Sequence, residues 1–164
     1  MDQYDFADTD YMDENEDDFS PLIGQYLITF SFLEHQIDQM LAEIINERSD
    51  ETGYLVTANM SMFNKIDLLQ RFMELAVSHD VKQPNKFTPL LKRVKAANTI
   101  RNRIAHANWS SMKSDGTVRV DISVSEEAGV NFVNIKLGIE ELSDAQDELD
   151  AVISELDELE FYEV

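Results

Sequence analysis

The chain has 164 residues and carries 33 Asp and Glu against 13 Lys and Arg, a formal net charge of −20 at pH 7. This length fits one domain with a substantial core, and the net negative field argues against indiscriminate binding to nucleic acid. The sequence has no Cys, no apolar run of membrane-spanning length and no start of the signal-peptide type. We therefore expect a cytoplasmic protein with no membrane partner.

Residues 1–19 form an acidic segment with nine Asp or Glu, no Lys or Arg, and four spaced aromatic residues. This composition predicts a flexible, solvated tail. An alternative is that the segment docks on a basic surface of the chain and competes with substrate there. Residues 20–164 are predicted to form a single helical domain.

The first helix is predicted from Ser20-Pro21 to about Asn46, because apolar residues recur at spacings of three, four and seven. Glu34 occupies the gap in this apolar stripe. A carboxylate buried without a partner is costly. We therefore expect either a partner from the third helix, Arg101 or Asn102, or a position at the edge of the stripe that reaches water.

A second helix is predicted over residues 61–79. A third begins with Thr88 as N-cap and Pro89 as its first position. Near its end lies the sequence Ile-Arg-Asn-Arg-Ile-Ala-His-Ala-Asn-Trp, residues 100–109.

Helical geometry sets the directions of the polar side chains in this sequence. At about 100° per residue, Asn102 and His106 share a face that Trp109 continues, whereas Arg101 points roughly 140° away from His106. One helix therefore does not aim Arg101 and His106 at the same atom. Two copies packed about a two-fold axis can do so.

Residues 81–114 contain eight Lys or Arg and no Asp or Glu, whereas the other 130 residues hold all 33 acids and only five bases. In so acidic a chain, this local positive charge is typical of a surface that contacts phosphate or nucleic acid. The bases are Lys82, Lys86, Lys92, Arg93, Lys95, Arg101, Arg103 and Lys113.

Apolar and polar residues alternate after Trp109, which predicts a β-hairpin over about residues 117–137. An isolated hairpin is marginally stable, so its apolar face should pack on the helices or on a second subunit. A last, strongly acidic helix is predicted over residues 139–161. Together these patterns predict a mainly α fold, a four-to-five-helix up-down bundle with a β-hairpin inserted before the last helix.

The last helix contains the acidic residues that come nearest to a metal-binding pattern. Asp144, Asp147 and Glu148 of the last helix have the chemistry to bind a hard cation, but no matching ligand comes from elsewhere in the sequence. The three His, with no Cys, give no zinc pattern. We predict no metal site and no cofactor.

The third-helix sequence resembles the motif of the HEPN (higher eukaryotes and prokaryotes nucleotide-binding) superfamily, in the form Arg101-Asn102-Xaa-Xaa-Xaa-His106. Two earlier runs, Phe32-Leu33-Glu34-His35 and Phe63-Asn64-Lys65-Ile66-Asp67-Leu68-Leu69, resemble the first two helices of bacterial HEPN-like proteins. The resemblance covers roughly residues 21–109 and, more loosely, the last helix.

The resemblance implies a helical, usually dimeric domain. In many members this domain is a metal-independent endoribonuclease of toxin–antitoxin, abortive-infection or RNA-processing systems, whereas other members only bind nucleotides or partners. It therefore implies RNA as substrate, a second copy as partner, and an antitoxin or regulatory protein as a further partner.

RNA cleavage by its own 2′-hydroxyl is chemistry that these residues can perform. His106 suits the proton transfer, Arg101 suits the charge that develops on the phosphoryl oxygens, and Asn102 can orient His106 or the phosphate. The residues predicted to contact RNA are Lys92, Arg93, Lys95 and Arg103 through phosphates and Trp109 through base stacking.

Two alternatives remain from the sequence. In the first, Arg101 pairs with Glu34 and His106 is held in a structural role. The protein is then a non-catalytic dimeric module that binds nucleotides or proteins. The net charge alone allows a third reading, in which the acidic tail and last helix bind a basic protein.

Overall fold

The computed structural model describes residues 9–46, 48–77, 84–125 and 129–158. These residues form six α-helices and a two-stranded antiparallel sheet whose strands precede the last helix, which confirms the predicted mainly α fold with its inserted hairpin. None of the described helices is apolar over enough of its length to span a membrane. The elements are α1 (Thr9–Glu14), α2 (Glu16–Ile45), α3 (Asp50–Thr57), α4 (Met62–Val77), α5 (Pro84–His106), a 3-10 turn (Trp109–Ser111), β1 (Thr117–Ser125), β2 (Gly129–Lys136) and α6 (Ile139–Asp157).

The chain divides into two compact units, and the boundaries between them fall within α2, α5 and α6. The hairpin unit comprises residues 1–27 and 100–147, and the helical unit comprises residues 28–99 and 148–164. Each unit has its own fully buried apolar residues. They include Phe19, Tyr26, Ile104, Met112, Val118 and Leu142 in the hairpin unit, and Leu33, Ile37, Leu41, Ile66, Leu69, Leu91 and Leu149 in the helical unit.

The segment predicted as a flexible tail is helical from Thr9 onward, and α2 begins four residues before its predicted start. Phe19 is buried, and its ring makes an edge-to-face contact with Tyr11, with the ring centroids 6.5 Å apart. Acidic residues 16–18 occupy the first turn of α2, where the positive end of the helix dipole favours negative charge. Burial of Phe19 thus stabilises helical structure in a segment whose composition is typical of a flexible tail. Residues 1–8 of that prediction lie outside the described residues.

The third long helix also begins earlier than predicted, at Pro84 instead of Thr88-Pro89. Proline suits the first position of a helix because its missing N–H would have no intrahelical partner there. Pro89 lies inside α5, where it removes one backbone donor. The helix ends at His106, so the motif occupies its last two turns, and Trp109, predicted to continue the helix face, lies in the 3-10 turn instead.

The hairpin contains a bulge that the alternation pattern did not predict. Regular pairing is interrupted between Arg119 and Asp121, and an extra residue of this kind shifts the following side chains relative to the faces of the sheet. Val118 is fully buried, whereas Ile122 is 52 % exposed and Phe132 54 % exposed. The apolar side chains near the tip are therefore solvent-facing in the single chain.

Gly53 marks a close approach between α3 and α2. A Cβ at Gly53 would lie 2.2 Å from the Cα of Ala42, so the two helices would have to separate. We expect Gly53→Ala to lower the free energy of unfolding by about 1–3 kcal/mol. Urea denaturation measures this effect.

Gly24, within α2, provides the matched control because a Cβ there meets nothing within 4 Å. Gly24→Ala should raise the free energy of unfolding by about 0.5–1 kcal/mol, since Ala favours the helix. Equal effects of the two substitutions would contradict the close approach.

Candidate functional site

The Arg-Asn-Xaa-Xaa-Xaa-His motif is presented near the end of α5. Asn102 and His106 are both exposed, and residues four apart on a helix share a face. Arg101 is half-buried, and its Nη1 donates a hydrogen bond to Oδ1 of Asn102 at 3.0 Å. The Asn102 side chain therefore links the guanidinium to the helix face that carries the imidazole.

The end of α5 is held in place by the residues that follow it. Ile104 is buried with 1 % exposure, and its backbone carbonyl accepts a hydrogen bond from the indole Nε1–H of Trp109 at 3.1 Å. This contact satisfies a carbonyl that the helix end leaves without a helical partner. Asn108 N–H donates to the Arg119 carbonyl of β1 at 2.8 Å, and the N–H of Arg119 donates to Oγ of Ser111 at 2.9 Å. The hairpin thus anchors the turn directly after His106.

Glu34 has a different partner from the two that the sequence suggested. The Nζ of Lys65 lies 3.3 Å from Glu34 Oε1 and 2.8 Å from Asp38 Oδ2. Lys65 is only 7 % exposed, whereas the Glu34 side chain is 36 % exposed, which agrees with a position at the edge of the apolar stripe. The expected pairing of Glu34 with Arg101 or Asn102 is therefore corrected to an ion pair with α4.

Lys65 remains charged in this environment. Burial acts to lower its pKa, but the hydrogen bonds and negative charges of Asp38 and Glu34 outweigh burial and raise the pKa above its ordinary value of 10.5. Lys65 was not among the site residues predicted from the sequence. The signal was its place three residues after Met62 and four before Leu69, both buried on the same side of α4.

The predicted RNA-contacting bases fall into two groups. Lys92 and Arg103 are exposed. Arg93, in contrast, lies between two carboxylates of α6, with its Nε 2.6 Å from Glu148 and its Nη1 2.5 Å from Glu155. These partners raise the pKa of Arg93 further and neutralise its charge locally, so Arg93 is engaged within the fold.

The other bases of the segment are Lys95, Lys113, Lys82 and Lys86. The Nζ of Lys95 donates to Oε1 of Gln70 at 2.8 Å. Lys113 is exposed. Lys82 and the side chain of Lys86 lie outside the described residues. The basic segment therefore presents its charge unevenly, with Arg103 as the exposed base within the motif.

Trp109, predicted to stack an RNA base, is half-buried and forms part of a cavity whose wall also includes Asp13 and Glu16. The two carboxylates would repel a phosphate close to this side of the ring. The surroundings of Trp109 therefore favour a ligand other than RNA on the cavity side.

The acidic residues of α6 do not assemble a metal centre. In the part of the chain that the structure describes, no three His, Asp or Glu side chains are grouped as metal ligands would be. Glu148, one of the candidate cation ligands, instead pairs with Arg93.

Comparison of the chain with protein-family models, with curated proteins and with solved structures gives no match. A function must therefore be argued from the residues themselves. The strongest grouping among them is the exposed face of Asn102 and His106 with Arg101 hydrogen-bonded beside it.

Proposed function

We propose that the protein is a metal-independent endoribonuclease that cleaves RNA at a site completed by a second copy of the chain. The observation that carries the proposal is the exposure of Asn102 and His106 on one helix face, with Arg101 bonded to Asn102. Their exposure leaves the amide and the imidazole accessible to a substrate. The HEPN-like form of the motif supports the same assignment and suggests a toxin or phage-defence role.

The proposed reaction uses the nucleophile that RNA carries. His106 accepts the proton of the 2′-hydroxyl, the 2′-oxygen bonds to the adjacent phosphorus, and the bond from phosphorus to the 5′-oxygen breaks. The leaving 5′-oxygen takes a proton from water. Arg101 stabilises the negative charge on the phosphoryl oxygens, and Asn102 positions the guanidinium. The products are a 2′,3′-cyclic phosphate and a 5′-hydroxyl.

The geometry of one helix supports a second copy. Arg101 and His106 are five residues apart, which places their Cα–Cβ directions roughly 140° apart around α5. A two-fold arrangement lets the Arg101 of one copy face the His106 of the other. The exposed Ile122 and Phe132 of the hairpin supply apolar surface that such packing can bury.

The proposal is tested by incubating the purified full chain with labelled mixed-sequence RNA in EDTA. Cleavage is expected, because no step requires a metal ion. RNA binding without cleavage would instead support the non-catalytic module that binds nucleotides or proteins.

Mixing two inactive variants tests whether the site is shared between copies. Arg101→Ala and His106→Ala should each lower the cleavage rate at least about 100-fold alone. An equal mixture, after subunit exchange, should recover about a quarter of the wild-type rate, because half of the dimers are mixed and each mixed dimer has one intact site of two. The measurement is the initial rate of RNA cleavage, and a mixture as inactive as its components would contradict a shared site.

Two arginines of α5 are expected to differ in their contribution to RNA affinity. Arg103→Ala should weaken RNA binding, because an exposed phosphate contact is lost. The slope of the logarithm of the association constant against the logarithm of salt concentration should become less steep by about one unit. Arg93→Ala should leave both nearly unchanged, since Glu148 and Glu155 already engage that guanidinium. Fluorescence anisotropy at several salt concentrations measures the two slopes, and the reverse order would refute the assignment.

A further inference from the structure

A cavity of about 440 Å³ lies beside Trp109 and takes no part in the proposed cleavage. α1 and the first turns of α2 contribute Asp13, Glu16 and apolar groups to its wall, and the 3-10 turn contributes the indole of Trp109. All of these residues belong to the hairpin unit.

The groups around the cavity select for a cation. Asp13 and Glu16 are exposed carboxylates, and among the described residues neither has an ion-pair partner. Among the described residues, no Lys, Arg or His lines the cavity. An anion would be repelled there, whereas a cation gains from the carboxylates and from the face of the indole ring.

Trp109 lines the cavity, and its indole is held in place by a hydrogen bond. Its Nε1–H is already donated to the carbonyl of Ile104 at 3.1 Å. Met12 and Ile23 add apolar surface. A planar guanidinium at the end of an aliphatic stem matches these features, because it stacks on aromatic faces, donates to two carboxylates and is less strongly hydrated than an ammonium group.

Gly24 adds open space to the cavity. It lies in the wall of the cavity within α2, and a Cβ placed there would meet nothing within 4 Å. Any other residue would favour the helix more, except Pro, and would extend into the cavity. Glycine at this position therefore keeps the space open at the expense of helix propensity.

We propose that the cavity beside Trp109 binds an arginine side chain of a partner protein. The guanidinium stacks on Trp109 and bonds to Asp13 and Glu16, and the aliphatic stem lies against Met12 and Ile23. A polypeptide source is favoured because further exposed acids, Glu14, Asp17 and Asp18, continue the negative charge beyond the cavity, where basic neighbours of the arginine would lie. The proposal goes beyond RNA cleavage and does not depend on it.

The experiment uses the intrinsic fluorescence of Trp109, the single tryptophan of the chain. The full chain is titrated with an acetylated, amidated Lys-Gly-Arg-Gly-Lys peptide and with the same peptide carrying citrulline, which is uncharged and nearly isosteric with arginine. A saturable change in emission is expected, with the citrulline peptide bound at least about tenfold more weakly. Equal binding of the two peptides would overturn the proposal. Agmatine is the small-molecule comparison. If it binds as tightly as the arginine peptide, the inference that the arginine belongs to a polypeptide is wrong.

Variants locate the response. Asp13→Asn combined with Glu16→Gln should weaken binding of the arginine peptide at least about tenfold, whereas Asp144→Asn, at an exposed acid of the hairpin unit outside the cavity wall, should change it little. Gly24→Leu should fill the cavity and abolish the fluorescence change without lowering the melting temperature. Unchanged binding in both cavity variants would overturn the proposal. Because no RNA is present, this result is independent of the outcome for the ribonuclease.

Discussion

His106→Ala is expected to lower the rate of RNA cleavage by about 10²–10⁴-fold, the usual contribution of a positioned acid–base group. The imidazole is the proton acceptor in the proposed reaction, and Arg101 and Asn102 offer no replacement, since neither guanidinium nor amide accepts a proton near neutral pH. Because His106 is exposed at the end of α5, its truncation leaves no cavity and should preserve the fold. Single-turnover cleavage of a fluorescent RNA measures the rate.

His35→Ala is the matched control for this substitution. His35 is an exposed histidine in the helical unit, on α2, and its loss should leave the cleavage rate unchanged. Thermal unfolding should be the same for both variants and the wild type. A His106→Ala rate within about threefold of wild type would remove His106 from the mechanism.

Lys65→Met is expected to lower the free energy of unfolding by about 2–3 kcal/mol. The substitution keeps the length of the side chain but leaves Asp38 and Glu34 facing each other without a cation. Breaking a fully buried pair costs more, but Glu34 reaches solvent with 36 % of its side chain exposed, which moderates the effect. Urea denaturation at neutral pH measures the loss.

Arg71→Met on the same helix is the control, because Arg71 pairs with Asp67 at 2.9 Å on the surface with 75 % of its side chain exposed. Exposed pairs of this spacing contribute little, so the change should stay within about 0.5 kcal/mol. Adding Asp38→Leu to Lys65→Met should recover much of the lost stability, since it removes one unpaired carboxylate. Similar losses in Lys65→Met and Arg71→Met would contradict a special role for the buried lysine.

The same ion pair predicts a pH dependence. Because the folded state raises the pKa of Lys65 above 10.5, its contribution to stability is fully present below that pH and is lost as the pH rises through the raised value. The difference in stability between wild type and Lys65→Met should therefore be constant up to about pH 10 and shrink above it.

Local periodicity predicted the mainly α fold with its hairpin, but features set by distant contacts escaped it. The start of α2 depends on the burial of Phe19, which an acidic, tail-like composition conceals. The bulge between Arg119 and Asp121 inserts one residue into a pattern that otherwise alternates correctly. In both cases tertiary packing determined a feature that composition and alternation along the chain do not predict.

The candidate site shows the same division. The shared face of Asn102 and His106 follows from the four-residue spacing alone, and both side chains are exposed there. The engagement of Arg93 does not follow from spacing, because its partners Glu148 and Glu155 lie 55 and 62 residues away in sequence. Charge counting along the chain found the basic segment but could not show which of its bases are compensated.

The most direct test of the proposed ribonuclease is the chemistry of its product ends. An oligonucleotide of 2′-O-methyl RNA with one ordinary ribonucleotide is incubated with the full chain in EDTA, and the products are identified by mass spectrometry. Cleavage confined to the bond that follows the ribonucleotide, with a 2′,3′-cyclic phosphate on one product and a 5′-hydroxyl on the other, is the predicted result. Cleavage at 2′-O-methyl positions would contradict attack by the 2′-hydroxyl. Failure to cleave both this oligonucleotide and all-ribose RNA would contradict a cleavage site formed by Arg101 and His106.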